Sequence, residues 1–342
     1  MLPESNGLPR AHGDPTASGR IRTAPEDYVV YELLPFEPDG EGEHLLLQVT
    51  KTGQNTGWVA SQLARAAGIP PRDVSYAGRK DRHAVTTQWF CLRIPGRSLA
   101  DPAALMPEGC VLDRHAWHRR KLRPGSLAGN RFRIRVRDLA GDRDALAARL
   151  SCISDSGVPN YFTEQRFGRA GSMTEPPRPP VPRARGARSL WISAARSALF
   201  NRVLATRVLD GSWCRELPGD LLILRDSHSH FVWDGSDPEV PGRVAAGELH
   251  PSGPLVGGRG ARPEGVVAEL ERAALGDHDA TLELLEQRRV EAARRALRVM
   301  VVEFSWEIGD DLVIELRLPP GSYATAVLRE ALDYRLGLDS ST

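Results

Sequence analysis

The 342-residue chain sets 45 lysines and arginines against 44 aspartates and glutamates, for a formal net charge of +1. A hydrophobic content of 41% with 26% charged residues is that of a globular protein and excludes a disordered or fibrous chain. No run approaches ~18 consecutive apolar residues, which excludes a transmembrane helix, and the chain exceeds the ~250–300 residues at which one core stops growing, so two domains are expected. Residues 1–20 (MLPESNGLPRAHGDPTASGR) lack an apolar segment and read as a flexible tail, not a secretory signal. Residues 28–33 and 44–51 are aliphatic or β-branched runs bounded by Pro and Gly, as strands are. Thr56 reads as a helix cap, with Val59, Leu63 and Ala67 at helical spacing before Gly68. Residues 74–77 and 86–94 read as strands around a turn at 78–84.

Residues 131–137 alternate cleanly: Phe132, Ile134 and Val136 face one way, while Arg131, Arg133, Arg135 and Arg137 face the other. A helix is expected at 142–153 and an exposed Pro/Arg-rich loop at 175–186. Long helical patterns follow at 190–209 and 281–300. Strand alternation returns with Val302, Phe304, Trp306 and Ile308. It resumes after a Gly309-Asp310 turn with Leu312, Ile314, Leu316 and Leu318. A last helix is expected at 322–336. The simplest architecture is an α+β fold in which both ends of the chain build a strand-rich domain (21–156 and 298–342). A more helical domain (157–297) is inserted into it.

Charge is strongly segregated. Residues 114–137 hold nine cations and no acid, and residues 176–209 hold seven arginines and no acid. Such tracts suit a polyanion surface, most economically a nucleic acid, as well as plain solvated faces. The cysteines Cys91, Cys110, Cys152 and Cys214 stand far apart without a C-x-x-C pair, which fits a reducing cytosol. His115/His118 and His228/His230 lack acidic or thiol partners at metal spacing, and residues 253–260 (GPLVGGRG) lack the Lys-Ser/Thr of a P-loop.

The most informative segment is residues 76–90, YAGRKDRHAVTTQWF. Asp81 is the one carboxylate between Val74 and Ala100, among Arg79, Lys80, Arg82, Arg93 and Arg97. Cations around an Asp favour its charged form, and a placed carboxylate serves as nucleophile or base. The same residue also suits a turn-former bonding its own backbone, and the residues by themselves leave both roles open. Tyr28, Phe132, Phe162 and Tyr323 sit near polar or cationic neighbours, where bases stack at roughly 1–3 kcal/mol each.

YAGRKDRHAVTTQWF, NYFTEQRFG (160–168) and SLWISAARSALFNRVL (189–204) closely resemble the TruD family of tRNA pseudouridine synthases. So do PEDYVVYE (25–32), GEHLLLQVTKTGQNT (42–56), KLRPGSLAGNRF (121–132) and LPPGSYATAVLRE (318–330). The resemblance implies a pseudouridine-synthase catalytic domain with a mainly antiparallel mixed sheet and an inserted α/β TRUD domain. It implies isomerisation of uridine to pseudouridine in tRNA, typically uridine 13 of the D-arm, by a cytoplasmic monomer that needs no cofactor, metal or membrane. By motif position Asp81 is the catalytic aspartate, serving as nucleophile or base, with Lys80 expected to hold its charge and orientation. Tyr28, Asn130 and Tyr323 match substrate-contacting positions, Phe132 an aromatic beside them, and Arg22 a common lysine. Phe162 joins the expected substrate-binding set as an aromatic of the NYF motif, and the four alternating arginines together with residues 178–207 are expected to grip the tRNA backbone. A tRNA-binding chaperone and a metal-dependent nuclease are the competing classes; the latter wants several carboxylates around an ion, and this stretch offers one.

Overall fold

The computed structural model describes residues 8–337 apart from 98, 100, 168–170, 226, 228 and 289; His228 therefore lies outside the described residues. The chain opens with β1 (Ala17–Ile21), β2 (Tyr28–Leu33), β3 (His44–Thr52), α1 (Thr56–Ala66), β4 (Val74–Tyr76) and β5 (Val85–Arg93). Next come β6 (Cys110–His118), β7 (Gly129–Gly141), α2 (Arg143–Ser156), β8 (Val158–Pro159), α3 (Glu164–Phe167), α4 (Arg185–Leu209), β9 (Leu221–Leu224) and β10 (His230–Val232). They are followed by α5 (Val240–Ala245), β11 (Leu249–Leu255), α6 (Gly265–Leu275), α7 (Asp279–Gln287), β12 (Ala293–Ala296) and β13 (Arg298–Val299). The chain closes with β14 (Val302–Ile308), β15 (Leu312–Leu318), α8 (Ala324–Ala331) and β16 (Asp333–Leu336). No helix among the described residues is long and apolar enough to cross a membrane.

Two compact units result. The first comprises Thr16–Ala147, Val302–Gly321 and the stretch from Leu332; the second comprises the stretch up to Pro15, Ala148–Val301 and Ser322–Ala331. The expected boundaries shift accordingly. Residues 148–156, 298–301 and 322–331 belong with the second unit because β13 pairs with β8 and the Thr325 hydroxyl bonds that of Thr163. The expected tail is also corrected over its described part. Leu8 is buried, the Ala11 and His12 amides donate to the Glu330 carboxylate, and Ala17–Ile21 is a strand.

The first unit is a ten-stranded mixed sheet, running β14-β15-β7-β2-β5-β3-β6, with β1, β4 and β16 added off that path. Most pairings are antiparallel; β2 with β5 and β1 with β16 are parallel. The period-2 pattern of β7 sets one face: Ile134 lies opposite Ile314 of β15 and Tyr28 of β2, and Phe132 opposite Leu316 and Val30. Leu47, Val49 and Phe90 continue the core, which Val59 and Leu63 of α1 cover.

The second unit holds the four-stranded sheet β10-β9-β11-β12 and the pair β13-β8, with α4 against them. Two helix expectations fail. The pattern at 281–300 is helical only to Gln287, and then forms β12 against β11 and β13 against β8. The run at 322–336 stays helical to Ala331, then becomes β16 beside β1. In both, available strand edges outweigh the local preference of Ala, Arg and Leu for helix.

Candidate active site

Asp81 sits in the irregular loop between β4 and β5, presented from a rigid sheet. Arg22, just past β1, has φ 58°, a left-handed conformation uncommon for a non-glycine residue. Its Nη2 donates to Asp81 Oδ2 at 2.7 Å; the Arg22 side chain is 14% exposed and that of Asp81 36%. The guanidinium also lies 4.1 Å over the Tyr28 ring. Burial works against the Arg22 charge, yet Tyr28 and Asp81 outweigh it and hold its pKa above the ordinary value. Burial, reinforced by the Asp81 charge and opposed by Arg22, raises the Tyr28 phenol, which stays protonated near neutrality.

Lys80 is not the cation at Asp81. Its Nζ pairs with Glu32 Oε2, and the two side chains are 7% and 0% exposed. Glu32 Oε1 accepts the Trp89 amide at 3.1 Å. The Lys80 amide donates to Thr56 Oγ1 at 2.9 Å, and that hydroxyl donates to Gln88 Oε1 at 2.8 Å. Thr56 is therefore less a cap, Asn55 holding that position, than a link between α1 and the Asp81 loop. Arg93 and Arg97, grouped with Asp81 by sequence, bond Glu43 and the Gly42 carbonyl.

Asn130 and Phe132 lie on β7, with Asn130 opposite Glu32 and Phe132 opposite Val30. Phe132 meets Tyr28 edge-on, with ring centroids 6.2 Å apart. The Asn130 amide oxygen is buried and has no hydrogen-bond donor among the described residues. Arg22, Tyr28, Lys80, Asp81, Asn130 and Phe132 are thus all in the first unit.

Phe162 and Tyr323 belong to the second unit and meet each other edge-on, centroids 6.1 Å apart. Phe162 is buried in that unit's core, and its ring carries the Arg295 guanidinium at 4.1 Å, so it is filled by protein and corrects the expectation of a stacking platform. Arg295 also donates to Asn160 Oδ1 at 2.6 Å, and burial lowers its pKa to about 10. Asn201 brackets the Phe162 backbone, accepting its amide at 2.9 Å and donating to its carbonyl at 2.8 Å. Sequence reasoning missed Arg295 because its segment reads as helix.

The arginine face of β7 is corrected too. Arg133 pairs with Glu315 at 3.2 Å, Arg137 with Asp27 at 2.8 Å, Arg131 with Glu303 at 2.7 Å and Arg135 with Asp311 at 3.9 Å. The acid-free stretch receives its carboxylates from sequence-distant segments, largely β14, β15 and the turn between them. Of the arginines at 178–207, Arg196 bonds main-chain carbonyls, Arg202 meets Glu175, and Arg207 is buried on Asp220. Arg178, Arg183, Arg185 and Arg188 have no carboxylate partner among the described residues.

The family model described as tRNA pseudouridine synthase D (TruD) matches residues 10–175 and 184–331. The chain belongs to the TruD family. A tRNA pseudouridine synthase D of Methylococcus capsulatus is 47% identical over 341 residues, 97% of this chain and 96% of that one. One from Xanthomonas euvesicatoria is 44% identical over 354 residues, with the same coverage. A crystal structure from Methanosarcina mazei carrying the name tRNA pseudouridine synthase D (TruD) superposes with a TM-score of 0.71 at 21% identity, covering 95% of each chain, which supports the shared α+β fold. No group of three or more His, Cys, Asp or Glu able to hold a metal occurs among the described residues of this TruD-family chain.

Proposed function

We propose that this TruD-family protein isomerises uridine to pseudouridine in tRNA, at uridine 13 of the D-arm, acting in the cytoplasm with Asp81 as its reacting carboxylate. The observation that carries the reading is the salt-bridged, partly exposed Asp81 in a loop held by buried polar bonds. The reaction breaks the uracil N1–C1′ bond, turns the base and forms a C5–C1′ bond. C5 gives up its proton and N1 of the product carries one, so composition is unchanged and no co-reactant is consumed. A carboxylate suits both routes to that exchange, attack on the sugar or removal of a sugar proton, since it can later depart or return the proton.

The other residues take roles that their contacts support. Arg22 orients the Asp81 oxygen through its 2.7 Å bond. Asn130, on β7, offers a carboxamide able to bond the extruded uracil or a neighbouring nucleotide. Tyr28 and Phe132 are themselves buried, at 2% and 7% exposed, and their edge-on pair supports Arg22 from the core side instead of stacking on the base. Lys80 acts on the loop through Glu32. Arg178, Arg183, Arg185 and Arg188, without a carboxylate partner among the described residues, hold tRNA phosphates, whereas the balanced β7 face contributes little. The test is chemical mapping of pseudouridine in an unmodified tRNA transcript incubated with the purified protein. Wild type places it at position 13, and Asp81→Asn makes none while tRNA affinity stays within about threefold, that is, within about 0.7 kcal/mol. Wild-type turnover by Asp81→Asn overturns the reading.

A further inference from the structure

Lys51 closes β3, in phase with Leu47 and Val49, and is fully buried. Neither its charge nor its position is used by the roles assigned above. Its Nζ donates to the main-chain carbonyl of Asp81 at 2.9 Å and to that of Gln54 at 2.7 Å. No carboxylate lies within salt-bridge distance of it among the described residues. A buried ammonium without an ion-pair partner is costly and is seldom retained for packing alone.

The neighbouring bonds show what the cost secures. The turn from β3 into α1 grips three successive loop residues. The Lys80 amide is held by Thr56, the Asp81 carbonyl by Lys51, and the Arg82 guanidinium by the Gly53 carbonyl at 3.1 Å. Lys51 alone of these bonds the reacting residue itself. We propose that Lys51 is a positioning residue for the isomerisation, fixing the main chain of Asp81 and setting a buried positive charge behind its carboxylate. The inference rests on Asp81 being the reacting group.

Its charge is the handle for the test. Burial lowers the Lys51 pKa to about 8, opposed by the charges of Asp81 and Cys110 and reinforced by that of Lys80. The Cys110 thiol, raised to about 11 by burial, and the raised Tyr28 phenol stay protonated in that range. Single-turnover rates are measured from about pH 6.5 to 9.5, with tRNA affinity and melting temperature, for wild type and Lys51→Met. The substrate's own titration is common to both proteins. The expected result is a rate lower by about 10²-fold for Lys51→Met, as for a slightly misplaced catalytic group, with tRNA affinity within about threefold. The wild-type rate falls as pH rises through about 8, and the variant lacks that fall. Should Lys51→Met not fold, Lys51→Gln, which keeps a donor without the charge, is read in the same way. A variant that turns over within threefold of wild type with the same pH profile overturns the role of Lys51. Wild-type protein that makes no pseudouridine overturns the isomerisation reading beneath it.

Discussion

The buried pair of Glu32 and Lys80 offers a stability test of how the Asp81 loop is held. Glu32→Gln keeps the shape of the side chain and an oxygen for the Trp89 amide, so the loss is confined to Lys80. The Lys80 ammonium, whose side chain is 7% exposed, is left facing a neutral amide in a site closed to water. Removing one partner of a buried pair costs about 3–5 kcal/mol, because the remaining charge stays desolvated without its counter-ion. At about 2–4 °C per kcal/mol for a unit of this size, Glu32→Gln lowers the melting temperature by roughly 10 °C. Lys80→Met together with Glu32→Gln removes both charges and recovers at least half of the loss, since no desolvated charge is then left without a counter-ion. Urea unfolding of the four proteins of the double-mutant cycle yields the coupling energy directly. A loss under about 1 kcal/mol for Glu32→Gln, or a double variant no more stable than the single one, refutes the view that this pair anchors the loop.

Two further outcomes follow from charge and burial. Changing Arg183, Arg185 and Arg188 to Ala lowers the slope of log affinity for tRNA against log salt by roughly two to three, at up to 0.9 per phosphate contact, whereas Arg133→Ala with Arg135→Ala leaves it unchanged. Filter binding at several salt concentrations reads this, and equal slopes in both variants would sink the charge assignment. His250 is buried and accepts Arg298 Nε at 3.2 Å; burial, then the charges of Arg298 and Arg225, depress its pKa to about 3. The folded state therefore binds fewer protons than the unfolded one between those values. Stability is complete above about pH 6.5 and falls by about 1.4 kcal/mol per pH unit as pH drops toward 3. Urea unfolding at pH 7 and 5 shows a loss of about 2 kcal/mol in wild type that His250→Gln lacks; a parallel loss in the variant speaks against His250 as its source.

Much of the strand grammar was legible where one face of a strand is buried and the side-chain period is two. The alternations of β7 and β15 are direct readings of that kind, whereas β14 pairs with β15 through a register shift between Val302 and Ser305 and buries none of its residues. Residues 293–299 were not, since Ala and Arg favour helix locally and only the partner edges of β11 and β8 decide otherwise. The arginines of β7 kept their predicted direction but not their freedom, because pairing places carboxylates from sequence-distant segments beside them. Around Asp81, the loop was visible in sequence and its supports were not. A signal existed, however: Glu32 falls in phase with Tyr28 and Val30, and Lys51 with Leu47 and Val49. A charge placed on the core face of an otherwise apolar strand is itself a pointer to a buried polar network.

The energetics of that network set the Asp81 loop apart from an ordinary turn. A drop in the Lys51 pKa from 10.5 to about 8 corresponds to about 3 kcal/mol favouring the neutral amine over the charged one. Glu32 and Lys80 add a desolvated ion pair, so three almost wholly buried charges stand behind the partly exposed Asp81 carboxylate. A turn whose only task was to join β4 to β5 would be held at lower cost by apolar side chains at positions 32 and 51. What the charges contribute is fixed direction: their dipoles and donors are set when the chain folds and need no rearrangement when charge moves at the substrate. Such preorganisation is useful only if the exposed carboxylate reacts, which is why the fate of Lys51→Met bears on the chemistry of Asp81 more than on the fold.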